Sequence, residues 1–140
     1  MVDRKLVLEW MYKADQDFGF ANLGLADSDN KYFDPICVLL HQATEKYLKA
    51  YIVRNELKFE KQHDLIKLLN TCVGNDASLA VLQENCEFLN PFYQEIRYAD
   101  VSFVASDEKM AKQALISART IQAKIREVLK LDGEVNLSDL

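Results

Sequence analysis

The stretch DPICVLLHQATEKYLKAYIV, residues 34–53, decides the fold. Asp34 followed by Pro35 is typical of a helix start. The carboxylate can accept hydrogen bonds from the first-turn amides, which have no partner within the helix, and proline at the first helical position loses no hydrogen bond. On a wheel of about 100° per residue the apolar residues cover roughly half the circumference, more than a surface helix needs. The stretch therefore predicts the central helix of a bundle, with this inward arc: Ile36, Cys37, Leu39, Leu40, Ala43, Thr44, Tyr47, Leu48, Ala50 and Tyr51.

A narrow polar strip is left on the same helix. Glu45 and Lys49 stand four residues apart, in the order that favours an ion pair on a helix. The strip is either a solvated edge, a polar network between helices, or the floor of a cleft. In the last case Lys46 and Lys49 would supply cations and Glu45 would orient them. The strip consists of His41, Gln42, Glu45, Lys46 and Lys49.

Composition indicates one all-α domain. The 140 residues are 49% hydrophobic and 28% charged, with only four glycines and two prolines for turns. The formal charge is −5, and removing the three acidic groups of the last ten residues leaves −2. This charge argues against a surface for long duplex nucleic acid. The charge does not exclude binding of a small nucleotide or of a single-stranded end, because such binding needs only a few positioned cations.

The three cysteines, Cys37, Cys72 and Cys86, have no paired spacing and lie in apolar helical patterns. They are interpreted as small core residues, and no metal or cofactor is predicted. The sequence shows neither a signal peptide nor an apolar run of membrane-spanning length. Free thiols without an export signal predict a cytoplasmic protein that does not enter a membrane.

The predicted fold is an up-and-down helical bundle of four long helices plus a short fifth. The apolar periodicity predicts a first helix over 4–26, capped by Asp3, and the central helix after it. A short helix over 63–72 follows the connector 55–62, and a fourth begins at Asp76 or Ser78.

Pro91 is expected to kink or break the fourth helix. Ser106 is expected to cap the last one, which runs to Lys130. Residues 1–130 form a single predicted domain, and residues 131–140 form an acidic tail that is expected to fray.

The segment RYADVSFVA, residues 97–105, keeps no helical period and is unusually apolar for a loop. Val101, Phe103 and Val104 are its large apolar residues. Such a segment favours burial, either against the domain itself or against a second subunit.

Three blocks in this order resemble the HEPN domain family, most closely its small stand-alone prokaryotic members. They are HQATEKYLKAY in the central helix, HDLIKLL at 63–69, and IRYAD at 96–100, and the resemblance spans residues 5–130. It implies a helical bundle that usually forms a homodimer. It also implies association with a nucleotide or RNA, often beside a minimal nucleotidyltransferase as a toxin–antitoxin pair.

Many members of that family are metal-independent ribonucleases with an R-x(4–6)-H motif shared across a dimer. Here Arg54 is followed by eight residues before His63, and no histidine follows Arg97. The absence of the motif argues against nuclease activity. Of the family's characteristic positions, the sequence keeps His63 in the H-D-L block and Arg97 and Tyr98 in the R-Y block.

His63, Arg97 and Tyr98 are therefore the candidate ligand-binding residues, with Lys46, Lys49 and Glu45 in support. A histidine can bind phosphate or act as a general base, and an arginine can chelate phosphate while a tyrosine stacks on a base. Purely structural roles at helix ends are the alternative. Three functions follow: a nucleotide- or RNA-associating module, a metal-independent ribonuclease using His63 and Arg97, or a non-catalytic dimerisation domain.

Overall fold

Five α-helices make up the fold in the computed structural model, which describes residues 3–58, 61, 63–93 and 105–140. These residues contain helices, 3-10 turns and loops but no strand, so the predicted all-α class is confirmed. The helices are α1 (Arg4–Ala26), α2 (Phe33–Arg54), α3 (Leu65–Asn75), α4 (Gln83–Leu89) and α5 (Glu108–Leu129).

Helix α2 is the central element, as its wide apolar arc predicts. It packs against all four other helices, and thirteen of its 22 residues are buried. Its start differs in detail from the prediction, because Tyr32 occupies the cap position and Asp34 lies in the first turn. The Asp34 carboxylate accepts a hydrogen bond from the Ser106 amide, which ties the start of α2 to the start of α5.

The caps of the other helices explain where they begin. Asp3 caps α1 as predicted, and α1 has the predicted bounds. Asp107, rather than Ser106, caps α5 and accepts from the Met110 amide. Asp64 caps α3 by accepting from two first-turn amides, so that helix begins at Leu65 and His63 lies just before it.

The fourth helical segment is shorter as an α-helix than the sequence predicts. A 3-10 turn, Ala77–Leu82, precedes α4, and a second, Asn90–Phe92, follows it. Pro91 lies in that second turn, where its missing N–H would interrupt an α-helix. The predicted inward residues of the segment are nevertheless buried: Leu79, Leu82, Cys86 and Leu89.

A buried carboxylate joins the long helices. Asp15 of α1 is only 2% exposed. Its Oδ1 accepts from the Tyr47 hydroxyl of α2 at 2.5 Å and from the Arg126 guanidinium of α5 at 2.9 Å. The Gln122 amide of α5 donates to the same oxygen at 3.2 Å and to the Tyr47 oxygen at 2.7 Å. Burial and the Asp15 charge raise the pKa of Tyr47, which therefore remains a donor.

The acidic tail packs against the bundle, so the expected fraying is wrong at this point of the chain. Val135 is 4% exposed, and its amide donates to Asp15 Oδ2 at 3.0 Å. Beyond it, Asn136 and Asp139 form a reciprocal capping box around a short 3-10 turn. The Asp15 carboxylate thus supplies an acceptor that the amide of this loop would otherwise lack.

The cysteines lie in the core, as predicted. Cys37, Cys72 and Cys86 are buried and are not joined in disulfides, and burial raises the pKa of Cys72 and of Cys86 to about 12. These two thiols are therefore poor nucleophiles at neutral pH.

None of the helices in the described residues combines the length and the apolar character that crossing a bilayer demands.

We predict that Asp15→Asn lowers the free energy of unfolding by about 2–4 kcal/mol, because it leaves the Arg126 charge without its buried partner. Asp17→Asn is the matched control. Asp17, on the same helix as Asp15, forms a more exposed ion pair with Lys46 of α2, and its loss should cost about 1 kcal/mol or less. Urea unfolding followed by circular dichroism measures both. Equal losses in the two variants would contradict the structural role given to Asp15.

Candidate functional site

The polar strip of α2 is largely buried. His41, Glu45 and Lys49 are all buried, and Gln42 and Lys46 are partly buried. Of the three interpretations of the strip, the solvated edge is therefore wrong for these three residues. The strip is a polar network between helices, and one end of it reaches the surface at His63.

Glu45 is the centre of this network. Its Oε1 accepts from His63 Nδ1 at 2.6 Å, and its Oε2 lies 3.3 Å from Lys49 Nζ. The Lys49 ammonium also lies over the Trp10 ring of α1, 5.6 Å from the ring centroid. Glu45 therefore holds the imidazole by one oxygen while its charge is balanced through the other.

His63 combines a fixed orientation with access to solvent. Its ring stacks on Tyr93, with centroids 4.5 Å apart and planes 17° from parallel, and 40% of its side chain is exposed. Because Nδ1 donates to a carboxylate, Nε2 is the ring nitrogen available to a ligand. We call Glu45, Lys49, His63 and Tyr93 the His63 site.

Tyr93 belongs to the site although no sequence motif marks it. It follows Pro91 at the end of the fourth helical segment, where a helix-ending turn can expose an aromatic ring. Its ring also stacks on His41, with centroids 5.7 Å apart. Tyr93 thus contacts the rings of two histidines from different parts of the chain.

His41 is a buried neighbour of the site. The residue is only 1% exposed, and its Nδ1 lies 3.0 Å from the Leu89 carbonyl, which accepts its hydrogen. Nε2 has no hydrogen-bond partner of ordinary geometry in the described residues. Burial lowers the pKa of His41, and the Leu89 carbonyl, the Glu45 charge and the His63 backbone oppose that effect without reversing it.

An asparagine holds the segment of His63 against the end of α4. Asn90 Oδ1 accepts from the Leu65 amide at 2.9 Å, and Asn90 Nδ2 donates to Asp64 Oδ1 at 3.2 Å. Since these contacts flank His63 and Tyr93, the start of the third helix and the exit of the fourth helical segment meet here.

Three predicted ligand-binding residues remain to be placed: Lys46, Arg97 and Tyr98. Lys46 forms an ion pair with Asp17 of α1 and is not among the contacts of His63. Arg97 and Tyr98 lie outside the described residues, as do Val101, Phe103 and Val104 of the apolar segment. The structure therefore brings together Glu45, Lys49 and His63 of the predicted set.

The arrangement supports proton transfer or anion binding by one imidazole. A carboxylate hydrogen-bonded to one ring nitrogen of a histidine fixes the tautomer and the orientation of the ring. In the described ranges, no three side chains of His, Cys, Asp or Glu gather as a metal ion would require.

Comparison with known proteins agrees with the helical architecture. A family model for the HEPN domain matches residues 7–128. The crystal structure of ST0689, an archaeal HEPN homologue, superposes with a TM-score of 0.70 at 21% identity, over 88% of this chain and 97% of that one. The crystal structure of TT1696 from Thermus thermophilus gives a TM-score of 0.74 at 22% identity, over 86% and 96%. No curated protein matches the sequence.

We predict that His41 makes stability fall as the pH drops. The ordinary pKa of histidine is 6.5, and that of His41 is lower in the folded chain. The unfolded chain therefore binds a proton first, and the free energy of unfolding decreases as pH falls through about 6.5 towards the folded pKa.

His41→Gln should flatten this dependence, because glutamine can donate to the Leu89 carbonyl but does not titrate. Urea unfolding at intervals between pH 7.5 and 5 measures the effect. The quantity of interest is the difference between wild type and variant, which removes the contribution of groups common to both. Parallel curves would contradict the assignment to His41.

Proposed function

This chain belongs to the HEPN domain family, and on that premise we propose that it is a cytoplasmic nucleotide- or RNA-associating module whose ligand binds at the His63 site. The observation that supports the proposal best is the fixed but accessible imidazole. His63 is oriented by Glu45 at 2.6 Å and by the Tyr93 ring, and 40% of its side chain faces solvent.

The ligand would meet this imidazole at Nε2 and on the ring face away from Tyr93. A protonated imidazole donates to a phosphate oxygen, and its face offers a stacking surface for a base. Lys49 balances the charge of Glu45 at 3.3 Å, which reduces the repulsion that a buried carboxylate would exert on an anion.

Arg97 and Tyr98 are proposed to complete the site. Arg97 follows Tyr93 by four residues, a reach of at most about 14 Å of extended chain. Its guanidinium would chelate a phosphate, and Tyr98 would stack on a base. Lys46 is a more distant supporting cation, since it is already paired with Asp17.

We further propose that the protein acts as a homodimer beside a minimal nucleotidyltransferase, in a toxin–antitoxin-like system. The family supports this assembly. The surface supports the dimer, because Phe20 and Leu23 of α1 are 69% and 71% exposed, and Ile116 of α5 is 55% exposed. Arg119 of α5 contacts Asn22 of α1, so the two helices are neighbours where they carry these exposed apolar residues.

We predict that wild-type protein binds a short single-stranded RNA or ATP, and that His63→Ala and Arg97→Ala each weaken binding about tenfold or more. Such a loss corresponds to one charge-assisted phosphate contact. Tyr93→Leu should also weaken binding, because His63 loses the ring that orients it. Tyr32→Leu is the matched control, since Tyr32 is exposed and distant in sequence from the site. Fluorescence anisotropy at constant salt measures all five proteins.

Indistinguishable weak binding by wild type and every variant would remove the His63 site. A non-catalytic dimerisation domain would then be the better assignment. Loss of binding in Tyr32→Leu as well would indicate a general effect on the surface or the fold.

A second candidate, a metal-independent ribonuclease, is favoured by the Glu45–His63 hydrogen bond. In this candidate His63 Nε2 would take the proton of a ribose 2′-hydroxyl, whose oxygen attacks the adjacent phosphorus and displaces the 5′-oxygen of the next nucleotide. Glu45 would stabilise the imidazolium, and Arg97 would stabilise the charge of the phosphorane-like transition state. The missing R-x(4–6)-H spacing makes this the weaker candidate.

If the ribonuclease candidate is right, we predict cleavage of a short RNA in EDTA, and His63→Ala should reduce its rate at least about a hundredfold. Glu45→Gln should reduce the rate less, because it weakens the orientation of the base without removing it. Gel electrophoresis of end-labelled RNA measures the rates, and an all-deoxy oligonucleotide is the uncleavable control. Intact RNA with wild-type protein, or equal cleavage by His63→Ala, would exclude this candidate.

A further inference from the structure

A cavity of about 590 Å³ lies at the end of the bundle where α1 begins and α2 and α5 end. This volume suits a small organic molecule. The walls combine two arginines with an apolar surface and are built from three parts of the chain: Arg4, Val7 and Leu8; Arg54, Asn55 and Glu56; Leu129 and Leu131.

The two arginines of this cavity have no ionic partner in the described residues. Neither Arg4 nor Arg54 takes part in an ion pair or a side-chain hydrogen bond there. Arg126, by contrast, is held by Asp15. Two guanidinium groups on one cavity, neither paired with another described residue, can bind a carboxylate or sulfonate through paired N–H donors.

The remaining walls restrict the kind of anion. Four of the lining residues, Val7, Leu8, Leu129 and Leu131, offer an apolar surface of the kind that binds a hydrocarbon or aromatic body. Glu56 adds one negative charge. The adjoining cavity, which shares Arg4, Leu8 and Leu131, is also lined by acidic residues of the tail: Asp132, Glu134 and Asp139.

We infer that this end cavity binds a small amphipathic organic monoanion, with its charged head at Arg4 and Arg54 and its apolar body against the leucines. The neighbouring carboxylates disfavour ligands with several negative charges, such as nucleotides and RNA. A single negative charge would meet the two arginines, whose side chains are exposed to solvent, while the apolar body contacts the leucines.

The end cavity is distinct from the His63 site. Arg54 follows Glu45 by nine residues of the same helix, which places their backbones about 13 Å apart along its axis. No residue of the His63 site lines the cavity. The inference therefore does not depend on the proposed nucleotide or RNA ligand.

The test is a fluorescence titration of the 140-residue chain with 8-anilinonaphthalene-1-sulfonate, an aromatic monoanion. Arg4→Gln and Arg54→Gln should each weaken probe binding about fivefold or more, through the loss of a charged hydrogen-bond donor. Arg119→Gln, the matched control, removes the same charge from the part of α5 that contacts Phe18 and Asn22, and should stay within twofold. Circular dichroism verifies that each variant is folded.

Competition identifies the ligand class. Decanoate below its micellar concentration should displace the probe, whereas decylamine, with the same chain and a cationic head, and AMP should not. His63→Ala should bind the probe as wild type does, which separates this result from the fate of the proposed function. Three results would overturn the inference. They are displacement by decylamine as strong as by decanoate, displacement by AMP stronger than by decanoate, and unchanged probe affinity in both Arg4→Gln and Arg54→Gln.

Discussion

The burial of the Asp15 carboxylate is the constraint on which the arrangement of the long helices depends. An isolated charge at 2% exposure would destabilise the fold by several kcal/mol. Donors from α2, from α5 and from the tail compensate the charge, and each must lie level with Asp15 along the axis of α1. Compensation of the Asp15 charge therefore also fixes how α2, α5 and the tail are aligned along α1. The donors are the Tyr47 hydroxyl, the Gln122 amide, the Arg126 guanidinium and the Val135 backbone N–H.

A second carboxylate, Glu45, differs from Asp15 because one of its partners is accessible to solvent. Every contact described for Asp15 is made inside the bundle, so its charge is used to hold helices together. Glu45 instead divides its oxygens between buried Lys49 and half-exposed His63. Glu45 therefore orients a side chain, that of His63, which solvent can reach. This difference is the physical reason for assigning ligand binding to Glu45 and His63 and a structural role to Asp15.

The sequence predicts the helices well because their signals are local. Asp3 and the apolar period give α1 its bounds, and the wide arc of α2 gives its central position. Asp15 was missed because a carboxylate on an apolar helix face is recognised only with its partner Arg126, 111 residues away. The burial of His41 and the packing of Val135 likewise depend on distant segments. His63 was found through a motif, whereas Tyr93 carried no comparable signal.

The buried carboxylate also connects the fold to the end cavity without coupling the two sites. The Leu131 amide donates to the Arg126 carbonyl, and the Val135 amide donates to Asp15, so the chain that carries Leu131 is anchored on both sides. One wall of the cavity thus depends on Asp15. Coupling between distant sites needs an element with two alternative arrangements, and the Asp15 cluster is seen in a single arrangement. We therefore expect the two proposed sites, the end cavity and the His63 site, to act independently of each other.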